Sequence, residues 1–264
     1  MRGRAAPRLT SLVPPFASDA FVLRTHKLGE TSKVVVLLTR DRGKLRAVAR
    51  GARGPRSRYQ SALEPLSEVR VTLYGRQGAE LYRLGGCELL RSAFRAGSLA
   101  LNNALSLSYY AELLEAFSPE GAAEDAVYRL ARAVLEAVDE GGASELLSRY
   151  LEAWLLKLHG LYPPLDRCAG CGGALPAGDL TYDSRAHGFV CASCSPASGP
   201  VLPAAARSRL HRIFRLSPRE QVESAGPAAE AALASFHRQL ITQHLERDLH
   251  SYRVLGEMAR EGVR

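Results

Sequence analysis

Residues 32–50 read SKVVVLLTRDRGKLRAVAR. The first eight of them, Ser32–Thr39, form a continuous run rich in β-branched side chains, which is typical of a buried strand. The Asp-Arg-Gly triplet at 41–43 favours a tight hairpin turn. Residues 44–50 alternate charged with apolar side chains, as a half-exposed strand does. The stretch therefore predicts a hairpin of one buried and one half-exposed strand.

Strand patterns continue on both sides of this hairpin. Three further β-prone segments are predicted as strands, at residues 19–25, 68–74 and 81–89. Five short strands joined by tight turns within residues 19–95 predict a small β-barrel. The five-stranded oligonucleotide-binding (OB) barrel has this size and strand count, and an SH3-like barrel is the alternative.

The rest of the chain has a helical pattern, with apolar residues three and four positions apart. Helices are predicted at residues 99–117, 122–138, 144–159, 203–216 and 227–258. Residues 1–18 are basic and rich in Pro and Ala, and they lack the apolar stretch of a signal peptide, so we expect a disordered tail. The chain is thus expected to contain a tail at 1–18, an OB domain at 19–95 and a helical domain at 96–264.

Two Cys-x-x-Cys pairs interrupt the helical half: Cys168 with Cys171, and Cys191 with Cys194. This spacing brings four sulfurs to one point, which is the number that a tetrahedral zinc ion takes. Four sulfurs leave no position for water, so a structural rather than catalytic ion is expected. A pair of disulfides and a site that folds without metal are the alternatives. The favoured interpretation is an α+β protein with one structural Zn²⁺ in an insert at residues 165–197, whose reduced cysteines indicate the cytoplasm.

Charge is divided unevenly along the chain. The net charge is +8, but residues 1–95 hold 19 Lys and Arg against 7 Asp and Glu, whereas residues 96–264 hold 16 against 20. A strongly basic half joined to a mildly acidic half favours a module that binds a polyanion, with nucleic acid as the expected partner. A solvated basic surface is the alternative.

Eight positive residues lie between positions 40 and 58, where Asp41 is the single acid. A barrel face that carries Lys and Arg beside a flexible arginine-rich loop is the groove expected for single-stranded nucleic acid. Tyr59, Tyr74 and Tyr82 are candidates for base stacking, and each could equally be an ordinary half-buried strand residue. This basic cluster consists of Arg40, Arg42, Lys44, Arg46, Arg50, Arg53, Arg56 and Arg58.

A second group of arginines lies in the predicted helix at 203–216 and just beyond it. Arg209, Arg212, Arg215 and Arg219 are three or four residues apart and have no acid among them until Glu220. Leu210 and Ile213 are expected to form an apolar seam beside this arginine stripe. An acidic peptide with an apolar end could use both surfaces. A solvated stripe and an auxiliary DNA contact are the alternatives.

Motifs of several enzyme classes are missing from the sequence. There is no GxxxxGK[ST] for ATP, no GxSxG and no HExxH. The zinc deaminase pattern needs HxE before PCxxC, and neither Cys-x-x-Cys pair has it. No apolar run approaches the length of a membrane span, so no membrane contact is expected. These absences favour a binding protein over an enzyme. A zinc-containing nuclease with carboxylates scattered in sequence and an RNA-binding factor are the rival interpretations.

Particular residues resemble a known family. The segments at 20–24, 29–33 and 49–53, with Thr39, Gly43, Lys44 and Ser57, resemble the amino-terminal domain of RecO, the bacterial recombination mediator. Residues 245–249 with Ser251 are similar to the end of that family, and the paired Cys-x-x-Cys insert resembles its zinc-bearing members. The resemblance covers roughly residues 19–255.

The resemblance implies an OB barrel followed by a helical domain with a zinc knuckle. It implies binding to single- and double-stranded DNA, annealing of complementary strands, cooperation with RecR, and no need for a nucleotide. It also implies help in loading RecA onto DNA covered by single-strand-binding protein, whose acidic tail is often docked, and a place at the nucleoid. The matching positions expected to contact DNA are Lys33, Lys44, Arg46, Arg50, Arg53 and Arg56.

Overall fold

The computed structural model describes residues 14–92, 101–142, 144–195 and 199–253. The chain forms two compact units. The first contains the residues up to Ser92 together with Glu120–Ala123, and the second contains Ala93–Pro119 and Glu124–Arg264. The short segment Glu120–Ala123 therefore belongs with the amino-terminal residues, although the sequence predicted it inside the helical domain.

Five strands form a closed barrel in the first unit. They are β1 (Phe16–Leu28), β2 (Ser32–Thr39), β3 (Gly43–Ala49), β4 (Glu68–Tyr74) and β5 (Tyr82–Arg91). Their order around the barrel is β1-β2-β3-β5-β4, with β1 paired to both β2 and β4. Neighbouring strands are antiparallel except β3 and β5, which are parallel. The predicted five-stranded OB barrel is confirmed, and the SH3-like alternative is not.

The barrel core follows from the two-residue period of its strands. On β3 the inward residues Leu45, Ala47 and Ala49 are buried, while Lys44 and Arg46 face outward. From β2 and β4, the apolar residues Val35, Leu37, Val69 and Val71 complete the same core.

Strand β1 is longer than predicted at both ends. It begins at Phe16, so residues 16–18 of the expected tail belong to the sheet, whereas residues 1–13 lie outside the described part of the chain. Phe16 pairs with Leu73, and its ring meets the Tyr82 ring edge-on at 5.7 Å, which gives this end of the strand an apolar partner. The other end continues to Leu28, which pairs with Ser32.

Five helices form the larger part of the second unit. They are α1 (Leu101–Phe117), α2 (Asp125–Asp139), α3 (Ser144–Leu158), α4 (Ala204–Ile213) and α5 (Pro227–Leu245). Helix α2 begins later than predicted because residues before it pair with the barrel, where Gly121 N–H donates to the Lys44 carbonyl at 3.0 Å. None of the helices in the described ranges has both the length and the apolar character needed to cross a membrane.

Helix α5 ends well before the predicted residue 258. Glu246 has a left-handed backbone with φ of 54°, which ends an α-helix. Asp248 then accepts hydrogen bonds from Thr242 and Arg238, which brings the chain back along the helix. A new helical turn starts at His250, and residues from 254 onward lie outside the described ranges.

The cysteine insert and the residues just after it form a small sheet that the sequence did not predict. Its strands are β6 (Leu180–Asp183), β7 (Gly188–Val190) and β8 (Val201–Leu202), in the order β7-β6-β8 and all antiparallel. Tyr182 and Phe189 place their ring centroids 5.2 and 5.3 Å from that of Phe236 on α5. The insert is therefore packed on α5 through three aromatic rings.

Buried polar side chains form a network among the helices of the second unit. Glu152 on α3 accepts hydrogen bonds from Arg149 and from the Tyr109 hydroxyl, each at 2.6 Å. The Nδ1 atom of His237, on α5, lies 2.8 Å from the second Glu152 oxygen. Burial lowers the pKa of His237 because it disfavours the charged imidazole. The hydrogen bond to Glu152 acts in the opposite direction, and the Arg149 guanidinium lowers the pKa further.

Candidate nucleic-acid interface and metal centre

The four cysteines of the two Cys-x-x-Cys pairs come together in the second unit. Their Sγ atoms all lie within 4.8 Å of one another, and the Sγ atoms of Cys171 and Cys191 are 3.8 Å apart. A tetrahedral ion with Zn–S bonds of about 2.3 Å requires sulfur–sulfur separations of about 3.8 Å. All four are free thiols, so the disulfide alternative does not fit.

Backbone hydrogen bonds hold the two cysteine turns in place. The first turn closes through Gly172 N–H, which donates to the Cys168 carbonyl at 2.8 Å, and Ala169 N–H ties it to β7 through the Phe189 carbonyl at 2.8 Å. The second turn is joined to the first where Cys191 N–H donates to Cys168 Sγ at 3.3 Å.

Electrostatics inside the cluster favour a bound cation. Hydrogen bonds from the backbone N–H groups of Cys171 and Cys191 lower the pKa of Cys168 to about 6. Hydrogen bonds with the neighbouring thiols of Cys191 and Cys171 raise the pKa of Cys194 to about 12, and the charge on Cys168 adds to this rise. One thiolate thus forms readily and the fourth does not, unless a cation offsets the charge. The four residues fit a single metal ion.

The outward face of β3 carries the centre of the basic cluster. Lys44 and Arg46 share this face, and Arg46 forms an ion pair of 2.6 Å with Glu120. Arg50 follows the strand and is exposed. Lys33 does not share the face, because it pairs with Ala49 and so falls in register with the inward residues of β3.

The remaining members of the basic cluster lie on the barrel surface, and several of them contact neighbouring groups. Arg53 donates from Nη1 to the Gly29 carbonyl at 2.7 Å, so it fastens the loop to the β1–β2 turn. The Arg42 guanidinium lies over the Phe16 ring, 3.9 Å from its centroid. Arg58 donates to the Tyr59 hydroxyl at 2.9 Å and is itself exposed, as are Arg40 and Arg56.

A cavity of about 650 Å³ lies beside the basic face of the first unit. Three cations line it, but Asp41, Glu80 and Glu120 line it as well. The cavity is therefore of mixed charge, and its cationic wall is formed by Arg42, Lys44 and Arg46.

Two of the three tyrosines proposed for base stacking are core residues. Tyr59 and Tyr82 are 2% and 3% exposed, and the Tyr59 hydroxyl donates to the Leu84 carbonyl at 3.2 Å. Tyr74 is half-buried, and the Arg83 guanidinium lies 4.5 Å from its ring centroid. Sequence reasoning missed Arg83, because the basic strand β3 beside it is distant in the chain. The alternation of Arg83 with the inward Tyr82 was the one local signal.

The expected arginine stripe of the second unit is altered by burial. Arg209 is 1% exposed, its Nε donates to Glu230 at 3.0 Å, and its Nη1 donates to Gln221. It is therefore an internal ion-pair residue and does not present its charge at the surface, which corrects the expectation for this position. Arg215 is exposed, and Arg219 lies 2.8 Å from Glu140.

By its fold the chain is an OB-barrel protein, a class whose barrels bind oligonucleotides and oligosaccharides. The helical unit with its four-thiol centre distinguishes this chain from OB-barrel proteins that consist of the barrel alone. Residues 15–93 match the family described as Recombination protein O N terminal, and residues 99–253 match Recombination protein O C terminal. The chain belongs to the RecO family of DNA repair proteins, which confirms the resemblance seen in the sequence.

Individual relatives agree with the family match over almost their whole length. The chain is 33% identical to the DNA repair protein RecO of Koribacter versatilis over 242 residues, covering 91% of this chain and 98% of that protein. It is 35% identical to the DNA repair protein RecO of Pelotomaculum thermopropionicum over 250 residues, covering 91% and 93%. For the DNA repair protein RecO of Geobacter sulfurreducens the identity is 31% over 251 residues, covering 92% and 98%.

Proposed function

We propose that this chain is a DNA repair and recombination mediator that binds single- and double-stranded DNA and anneals complementary strands without catalysing a reaction. The observation that carries the proposal is the outward pair Lys44 and Arg46 on β3, which the exposed Arg50 and Arg56 follow in the chain. Phosphate contacts of this kind give affinity without reading sequence. Neutralising the phosphates of two strands also lowers their mutual repulsion, which favours pairing.

The partners follow from the same proposal. The relatives' names support the DNA repair role. The resemblance to the RecO family implies that the chain works beside RecR and in the loading of RecA onto DNA covered by single-strand-binding protein. The acidic tail of single-strand-binding protein would contact Arg212, Arg215 and Arg219, the members of the arginine stripe other than the buried Arg209. We propose that this chain is located in the cytoplasm, at the nucleoid.

The metal proposed for the four-thiol centre is Zn²⁺, one ion per chain. Four thiolates suit zinc and leave no open position, so the ion would hold the insert together rather than activate water.

Metal analysis of reduced protein should find about one zinc per chain. Cys191→Ser should lower the melting temperature while DNA affinity changes much less, because the centre and the basic cluster are in different units. Protein free of zinc but equally stable would contradict the assignment.

The DNA interface is tested by replacing three exposed arginines, Arg46, Arg50 and Arg56, with alanine. Arg53 is left in place because it fastens the loop to Gly29. Affinity for all sequences should fall together, and the salt dependence on single strands should become shallower by roughly 0.7 per lost contact. A control with Arg129, Arg132 and Arg185 replaced removes the same charge elsewhere. Equal binding by the two triple variants would contradict the interface.

The rival functions are separated by three assays on the same protein. Strand annealing without ATP or Mg²⁺ supports the mediator. Cleavage of DNA in the presence of a divalent metal would instead indicate a nuclease. Preference for RNA over DNA of the same sequence in competition would indicate an RNA-binding factor.

A further inference from the structure

A second, smaller cavity of the barrel is lined by arginine without any acid. Its volume is about 250 Å³, and its lining residues are Arg50, Arg58, Tyr74, Arg83, Leu84 and Gly85. Among the described residues, no carboxylate forms an ion pair with any of its three guanidinium groups. The larger cavity is different, because acids offset its cations. The small cavity is therefore a concentrated and uncompensated positive site.

Strand register explains why these residues converge. Arg83 on β5 pairs with Val48 of the parallel strand β3 and with Tyr74 of the antiparallel strand β4. Paired residues share a face of a sheet, so Arg83 lies on the same outer face as Lys44 and Arg46. The cationic surface of β3 thus continues across the β3–β5 seam onto β5.

Local packing positions two of the three guanidinium groups. A side chain at Gly85 would place its Cβ 2.1 Å from Tyr74 Cε2, so the absence of a Cβ is what lets this ring lie against β5. The ring in turn carries the Arg83 guanidinium, 4.5 Å from its centroid. Arg58 donates to the Tyr59 hydroxyl at 2.9 Å, and that hydroxyl donates to the Leu84 carbonyl at 3.2 Å. These supports reduce the entropy lost when an anion binds.

We infer that this cavity binds a phosphate group of a DNA strand, with Arg83 as a contact residue and Tyr74 as its positioning residue. The inference rests on the proposed DNA-binding function and extends it to β4 and β5. Planar guanidinium groups donate in pairs to phosphate oxygens, which suits three arginines around one small space. A base cannot stack on Tyr74 in this cavity, because the Arg83 guanidinium lies over the ring and Gly85 packs against it.

The cavity and the Arg46 region would hold different phosphates of one strand. Arg46 and Arg50 are four residues apart, which is about 13 Å in an extended chain. A single phosphate group is too small to reach both arginines across that distance. The two positions therefore contact different phosphates along the strand. The shared ligand chemistry is a phosphate oxyanion, supplied either by an internal diester or by a terminal monoester.

The test compares Arg83→Gln with Arg76→Gln. Arg76 is exposed in the same β4–β5 hairpin and lies outside the cavity, so both variants lose one charge. Arg83→Gln should weaken binding of a single-stranded oligonucleotide about tenfold and make its salt dependence shallower by roughly 0.7, whereas Arg76→Gln should change it much less. Tyr74→Leu should lose part of the affinity, and Tyr74→Phe should restore it because the ring face is kept.

Oligonucleotides with a 5′-phosphate and with a 5′-hydroxyl identify the source of the phosphate. A tenfold loss on both indicates an internal diester, and a loss confined to the phosphorylated strand indicates a terminal monoester. If Arg83→Gln fails to fold, as judged by circular dichroism, Arg83→Lys keeps the charge and removes the paired donors.

Equal affinities for the Arg83→Gln and Arg76→Gln variants would overturn the inference. If the Arg46, Arg50 and Arg56 triple variant still loses binding in that case, only the cavity is excluded and the proposed function stands. Wild-type protein that binds neither oligonucleotide would overturn the function itself.

Discussion

Arg46 has a protein anion as its partner at the position where a phosphate is proposed to bind. The Glu120 carboxylate lies 2.6 Å from Arg46 Nη2. The Arg46 side chain is 53% exposed and the Glu120 side chain is 57% exposed. An ion pair this exposed contributes little to stability. Its larger effect is that Glu120 competes with any phosphate for the Nη2 group of Arg46.

We therefore predict that Glu120→Gln binds single-stranded DNA about two- to fivefold more tightly than wild type at low salt, because Arg46 is released. The gain should shrink as salt rises, since screening weakens both contacts. Glu145→Gln, at an exposed position of α3, is the control for net charge. Fluorescence anisotropy titrations measure both variants. An equal gain in the two would show that overall charge, not the Arg46 pair, sets the affinity.

Arg209 is the buried counterpart of this exposed pair. Replacing it with Met leaves Glu230 without its ion-pair partner, and we predict a loss of about 3 kcal/mol in the free energy of unfolding. The double variant Arg209→Met/Glu230→Gln should recover part of that loss, because the orphaned charge is gone. Urea unfolding measures each protein, with Arg215→Met as the exposed control. Similar losses for Arg209→Met and Arg215→Met would contradict a buried ion pair.

Single residues show which placements a sequence can predict. Alternation along β3 was enough to put Lys44 and Arg46 outward, because a two-residue period is a local property. Arg83 could not be placed beside them, because that depends on which strand neighbours β5. Helical spacing placed Leu210 and Ile213 inward correctly, but Arg209 is buried as well, since residues 221 and 230 also contact it.

Among the elements, the turn between β2 and β3 depends on one glycine. Gly43 has φ of +66°, and a Cβ there would lie 1.9 Å from the Ala122 carbonyl oxygen. Gly29, between β1 and β2, has a similar φ of +59° but nothing within 4 Å of its Cβ position. The two glycines share the backbone strain that a side chain would cause, and only Gly43 adds a collision.

We predict that Gly29→Ala lowers the free energy of unfolding by about 1 kcal/mol, the usual cost of a left-handed residue with a side chain. Gly43→Ala should lower it by at least about 1 kcal/mol more, because residues 121–122 must move away from the barrel. Guanidinium chloride unfolding of the two variants provides the comparison. Equal destabilisation would mean that the segment Glu120–Ala123 adds no contact of importance.

Element boundaries were predictable where the local pattern and the packing agree. Ser32–Thr39 and Glu68–Tyr74 were predicted with their observed bounds, since β-branched and alternating residues coincide with barrel burial. The strands of the cysteine insert were missed, because segments of two to four residues owe their form to the surrounding sheet and not to propensity. Helix α5 was predicted too long, because the buried Leu249 continues its apolar spacing beyond the turn at Glu246.

At the scale of the whole molecule, stability depends on pH through the buried His237. Its pKa in the folded protein lies below the ordinary value of 6.5, chiefly because burial disfavours its charged form. The groups that face it are Glu152, Arg149 and the hydroxyl of Tyr162. Below about pH 6.5 the unfolded chain takes up a proton at this position that the folded chain resists, so this contribution to stability is lost as the pH falls.

We predict that the free energy of unfolding falls more steeply between about pH 7 and pH 5 in wild type than in His237→Gln, which has no titrating group there. The difference between the two slopes isolates His237, because carboxylates and thiols titrate in both proteins. Urea unfolding at a series of pH values provides the measurement. Parallel curves would mean that His237 is protonated equally easily in the folded and unfolded states.

The discontinuous barrel unit has a consequence for synthesis on the ribosome. Five strands are complete once Ser92 has been translated, yet Glu120–Ala123 belongs to the same unit and emerges later. At cellular elongation rates this interval is on the order of seconds, far longer than a hairpin needs to form. During that time the nascent barrel has β3 without the Gly121 donor to its Lys44 carbonyl. The amino-terminal unit can therefore be completed only after the first helix of the second unit, α1, has been synthesised.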